Sequence, residues 1–322
     1  MASTVTHTFF ILDVYDKLDT RTKKLLMDNK NMLKSSAQGM DPFFFYKITT
    51  PWKGKRMREF GDYFHDNYTY EFFDTLVNYI KYNGYARNSQ VMAFLYGMLS
   101  HYILDSNIHP FVIYKTGVFD IGNKASYKYN MKHGELETIL DNYLISLRYG
   151  IKPWKFKVYD FCFEELEISD TLKEVIDFSF SETFGIRNMT KFYIRALCNM
   201  KRFFIVFRND SFGFKRGFYR FVDFISPKSF RKKTPLSYRM GIDYSLFNLE
   251  HKKWFNPTSL KISSKSSILD IYTYSVFECV DVISKINDYI YEDIGELRDI
   301  LKSVSYVTGR NWKKDYELKF FE

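Results

Sequence analysis

Five of the six histidines in this 322-residue chain fall within residues 7–133, each near a carboxylate or another histidine. They are His7, His65, His101, His109 and His133. The sixth, His251, lies in the charged stretch EHKKW and is assigned no role. In HYILDSNIHP, His101 and Asp105 stand four residues apart, so both project from one face of a helix. His109 follows four residues later, and Pro110 behind it predicts that the helix ends there. In HGELE, His133 and Glu137 repeat the spacing, which lets one helical turn offer two donors to one ion. Imidazole and carboxylate are the donors zinc accepts where thiolates are absent. Either pair alone is also a surface salt bridge or a satisfied core histidine. Two pairs, an added histidine and two isolated ones favour a metal.

Asp41, in AQGMDPFFFY, has two compatible readings: a helix N-cap ahead of Pro42, or a carboxylate ligand. His65, in GDYFHDNY, is flanked by Asp62 and Asp66, which read as solvated charges.

THTFF, AQGMDPFFFY, FGDYFH, LYGMLSHYILDSNIHP and HGELE follow one another over roughly residues 1–145. Together they resemble the zinc-dependent phospholipase C family, whose relatives among the single-strand nucleases use the same ligand order. The resemblance implies three zinc ions. One takes Asp41, His65, His101 and Asp105. A second takes His7 and a bridging Asp105, completed by the amino and carbonyl groups of the first residue of the mature chain. The third takes His109, His133 and Glu137. The family's mature chain begins with Trp. Here loss of Met1 would expose Ala2, five residues before His7, so Ala2 is the expected last ligand.

The implied activity is hydrolysis of a phospholipid-like phosphodiester. A hydroxide held by zinc attacks phosphorus, and Asp41 is the catalytic base. Three Zn²⁺ against Asp41, Asp105 and Glu137 leave about +3 at the site, which draws in an anionic ester. A nuclease or nucleotidase on the same centre stays open, as does a non-catalytic zinc-stabilised helical binding protein.

These residues need helices to position them, and helical periodicity dominates. From Ser267 to Ile290, apolar residues fall at 268, 272, 276, 280, 283, 286 and 290. Ser267 with Asp270 resembles a capping pair. Further helices are expected over about 57–82, 88–106, 131–149 and 188–208. Trp154 to Phe163 hints at a strand. Thr49–Gly54, Gly117–Tyr127, Ser226–Pro235 and Asn256–Ser264 read as loops. The expected fold is all-α: one helical domain over 1–322, with a zinc-site portion of about 1–150 and a helical C-terminal extension of about 151–322.

Basic and aromatic residues interleave from Lys201 to Lys233. That suits contact with an anionic membrane, nucleic-acid binding, or an ordinary helix pair with a solvated basic face. The net charge of +9 also suits an anionic partner. The aromatic content of 20% is the pattern of AT-rich codon usage and does not by itself indicate stacking platforms. No protein partner can be inferred. Cys162, Cys198 and Cys279 are sparse and odd in number, which predicts core thiols in a reducing compartment. The stretch MASTVTHTFFILDVYDKL has no basic n-region and only a short apolar run, Phe9 to Leu12. No run is long enough to span a bilayer. The expected location is cytoplasmic.

Overall fold

The computed structural model describes residues 4–120, 122–164, 167–207, 214–225 and 241–322. In chain order these form α1 (Thr4–Lys17), α2 (Thr20–Leu26), α3 (Lys30–Ser36), α4 (Pro51–Asp66), α5 (Thr69–Tyr82), α6 (Ser89–Thr116) and α7 (Lys132–Tyr149). Then come α8 (Val158–Phe161), α9 (Asp170–Phe184), α10 (Met189–Phe207), α11 (Phe214–Ile225), the antiparallel hairpin β1 (Trp254–Asn256) and β2 (Ser259–Ser264), α12 (Ile268–Glu292) and α13 (Leu297–Ile300). The fold is all-α, as the periodicity predicted.

Helix α6 is the axis. Asn88 starts it by accepting hydrogen bonds from the amides of Gln90 and Val91. Its residues are buried on nearly every side, and a helix apolar all round must sit inside. Helices α1, α3, α7 and α12 pack around it. Gly97 permits the close approach of α3, because a Cβ there would overlap Ser36.

The expected stop at Pro110 is incorrect: α6 continues to Thr116. An interior proline costs about 3 kcal/mol. Ile108, Phe111, Val112 and Ile113 are all buried on either side of it. Each contributes about 1.5–3 kcal/mol, so burial outweighs the lost hydrogen bond.

Other boundaries also shift. The helix expected over 57–82 divides at Tyr68, which takes a left-handed conformation with φ 55°. Its first half starts earlier, inside the expected loop, with Pro51 at a position where a missing amide is harmless. The loop expected over Gly117–Tyr127 ends in a 3-10 turn, Lys124–Tyr129. Trp154–Phe163 is no strand but a 3-10 turn followed by α8. Its alternating aromatics instead place Phe156 and Phe161 against Phe9. Asn256–Ser264 is mostly the second half of the hairpin. The loop expected over Ser226–Pro235 lies outside the described residues. The Ser267–Asp270 capping box opens α12 as expected.

Two packings matter for the site. Helix α10 lies on the 3-10 turn Asp41–Phe45, with Phe203 and Phe204 at 4.9 and 6.3 Å from Phe45. The segment after α13 returns to α4, where the Tyr306 amide donates to the His65 carbonyl. Cys162 and Cys279 are core thiols, but Cys198 is exposed. Among the described residues, no helix is long and apolar enough to cross a membrane.

Candidate metal centre

The fold brings all eight predicted side chains together. Helix α1 presents His7 from its first turn. The turn after α3 holds Asp41. The last turn of α4 holds His65. Helix α6 carries His101, Asp105 and His109 on one stripe, and α7 carries His133 and Glu137. Ala2 lies outside the described residues.

Two groups result. In the first, His7, Asp41, His101 and Asp105 are buried, with one ligand atom from each within 4.8 Å of the others. His65 joins it through Asp41, Nε2 to Oδ1 3.1 Å. Asp105 Oδ1 is 3.1 Å from His7 Nε2, and Oδ2 is 3.2 Å from His101 Nε2. The second group is His109, His133 and Glu137. Glu137 Oε1 lies 2.9 Å from His133 Nε2 and 3.6 Å from His109 Nε2. Asp105 links the groups, with Oδ2 3.8 Å from His109 Nδ1. The first group is sealed, whereas the His133 side chain is 32% exposed, so the centre opens to solvent on the α7 side.

The hydrogen bonds fix which nitrogen faces inward. Nδ1 of His65 contacts the Gly61 carbonyl at 2.6 Å, Nδ1 of His101 the Ala37 carbonyl at 3.1 Å, and Nδ1 of His109 the Tyr306 carbonyl at 3.1 Å. A carbonyl only accepts, so each Nδ1 carries the proton. A neutral imidazole then turns a bare Nε2 lone pair toward a carboxylate. At His101 the conflict is plain: Nε2 and Asp105 Oδ2 face each other, and neither has a hydrogen-bond partner. Burial lowers His101 to about 4, so protonation does not relieve it. A cation between the lone pairs would. Two donors on a tetrahedral zinc at about 2.0–2.2 Å stand about 3.3–3.5 Å apart, close to the spacing seen. Histidines bound to carbonyls through the far nitrogen are the usual outer support of zinc ligands. The residues therefore fit zinc, and no thiol takes part.

The N-cap reading of Asp41 is not what the structure displays. The residue begins a 3-10 turn, and its carboxylate faces His65 and His101. Its pKa is lowered: burial raises it, but His101 and His65 together prevail. Two residues earlier, Gly39 has φ +52°, and a Cβ there would overlap the His101 ring. The glycine lets the chain entering the Asp41 turn lie directly on that histidine.

Three contributors escaped the sequence reading. Gly39 is one. Asp141 is another: it accepts from the Val5 amide at 3.3 Å, the Thr6 amide at 2.8 Å and the Thr6 hydroxyl at 2.7 Å. It thus fixes the end of α1 that carries His7. The signal was present, since Asp141 extends the four-residue stripe of His133 and Glu137. Tyr306 is the third. Besides its carbonyl bond to His109, its buried ring lies 5.0 Å from the His65 ring and 5.8 Å from that of His101. No local pattern marks it. Tyr46 and Phe64 pack in the aromatic core.

The metal-free centre has a definite pH response. Burial lowers His109, but Asp105 and Glu137 more than reverse this and raise it to about 9. His7 and His65 are likewise raised, because facing carboxylates override burial. Stability from a raised histidine is complete below its ordinary value of 6.5 and is lost as pH climbs through the folded value. The carboxylates stay ionised over this window. Metal-stripped protein is therefore expected to melt at lower temperature as pH rises from 6.5 to 9. Zinc needs deprotonated imidazoles, so zinc-loaded protein is expected to hold its midpoint. Thermal melts of both forms across the window check this; parallel curves would contradict it.

The family description "zinc dependent phospholipase C" matches residues 6–184, more than half of the chain and every predicted side-chain ligand. The chain belongs to the zinc-dependent phospholipase C family. Comparison with the curated proteins and with solved structures gave no match.

Proposed function

We propose that this protein hydrolyses a phosphodiester of the phospholipid type at a three-zinc centre. The observation that carries this is the Asp105 carboxylate, buried between His7 and His101, with its Oδ2 facing the His101 Nε2 and neither atom hydrogen-bonded. Zinc bound there supplies a Lewis acid and lowers the pKa of water to roughly 7. The chain's own residues do the rest. Asp41, ionised and held by the turn beneath α10, orients the attacking water and takes its proton through the carboxylate oxygen turned away from His65. His133 and His109 face the open side, where an anionic ester can enter. Asp141 and Gln38 hold the first turn of α1, and with it His7. The Ala2 backbone is the proposed remaining ligand.

Elemental analysis of untagged protein purified without chelators tests this reading. Near three zinc ions per chain are expected, with turnover of a chromogenic phosphocholine ester that chelation abolishes. His133→Ala is expected to leave about two zinc ions, because the open group loses one of three donors. Zero or one zinc in the native chain would overturn the proposal. Turnover of single-stranded DNA in place of the ester would move the reading to a nuclease.

A further inference from the structure

We infer that α11 is an interfacial anchor, a helix that lies on an anionic phospholipid surface with its aromatic face in the headgroup boundary. Its sequence is FKRGFYRFVDFI. At 3.6 residues per turn, Phe214, Phe218, Phe221, Phe224 and Ile225 share an arc of about 120°. Lys215, Arg216, Arg220 and Asp223 fall by position on the remainder of the wheel. A helix of a water-soluble body turns such a stripe inward. Here the five apolar residues expose between 61% and 77% of their surface. The core, by contrast, buries Phe9, Phe10, Phe43, Phe64 and Phe72 almost completely. A contiguous exposed apolar face marks an interaction site.

The features of the helix select one occupant. Its 12 residues are too few to span a bilayer, which takes about 20. Strong segregation with basic residues on the polar side is the pattern of a helix lying in the interface. Three cations against one acid suit anionic headgroups, and Lys201 and Arg202 near the end of α10 add to them. A second copy of the chain would bring the same positive charge against itself. A nucleic-acid strand needs cations and stacking rings on one face, whereas by helical position the cations of α11 fall outside the aromatic arc.

The position also fits. Helix α10 ends with Phe203 and Phe204 against Phe45, in the turn that begins at Asp41. Helix α11 starts within about 25 Å of chain beyond that end. Docking through α11 therefore keeps the lipid surface near the segment carrying Asp41. The anchor does not depend on hydrolysis, so binding and turnover can be read separately.

Full-length protein is sedimented with vesicles of phosphatidylcholine alone and with vesicles containing roughly one third phosphatidylserine. Binding to the anionic vesicles is expected to be at least about tenfold tighter. Phe218→Ser/Phe221→Ser is expected to weaken it at least about tenfold. Arg216→Glu/Arg220→Glu should remove the preference for anionic lipid. Turnover of the soluble ester should stay unchanged in both variants, which shows that they fold. A wild-type chain that stays in the supernatant, or a serine variant that sediments like it, would overturn the anchor. So would a serine variant that binds vesicles normally but passes from dimer to monomer. Wild-type protein inert on the ester yet bound to vesicles would sink the hydrolase reading and keep the anchor.

Discussion

Asp41→Asn is expected to lower phosphodiester turnover roughly 10²–10⁴-fold, the usual scale for a lost general base, while zinc content stays near that of the native chain. The amide keeps the shape of the carboxylate and one ligating oxygen, but it cannot take a proton from water. The surroundings should survive the change. The Asp41 amide bonds to the Gln38 carbonyl at 3.1 Å, and the turn is clamped between α10 and the His101 ring. Turnover and metal content measured on one preparation decide the role. Near-normal turnover removes Asp41 from base catalysis. Loss of zinc in parallel with activity makes it a ligand above all.

Asp105→Ala is expected to have the larger effect on the centre itself. Its two oxygens meet His7, His101 and His109 at 3.1, 3.2 and 3.8 Å. No other carboxylate among the described residues touches both groups. Without it, zinc content is expected to fall from near three toward one, and turnover to the level of chelated protein. At free zinc about 100-fold above Kd, each lost site removes about 2.7 kcal/mol of linked stability. The melting midpoint should drop accordingly, and excess zinc should not restore it. Asp105→Asn keeps the volume and removes only the charge, so it decides the matter if the alanine variant fails to fold. Three zinc ions retained in the asparagine variant would rule out a bridging carboxylate.

The cluster of candidate ligands was legible because its signal is local. A four-residue spacing puts two side chains on one helical face whatever surrounds them, and α6 and α7 obey it. The long helices α10 and α12 followed for the same reason. Local rules misled where burial overruled them. Pro110 should end a helix, yet α6 runs through it because its flanks are apolar on every side. Tyr68 splits a continuous apolar pattern by a backbone angle that no periodicity encodes. Gly39 and Tyr306 matter only through partners far away in sequence. For α11, the mixture of basic and aromatic residues was visible, but the direction its aromatic face takes was not.

The Tyr306 contact gives the protein an order of assembly. All eight candidate ligand side chains have been synthesised by residue 137. The His109–Tyr306 hydrogen bond closes a sequence separation of 197 residues. Contacts this distant form after local ones, since loop closure must come first. A nascent chain on the ribosome thus has its candidate metal donors long before it has the residue that orients His109 and covers His65. Metal capture can precede completion of the fold, whereas the final setting of His109 must wait until residue 306 has emerged.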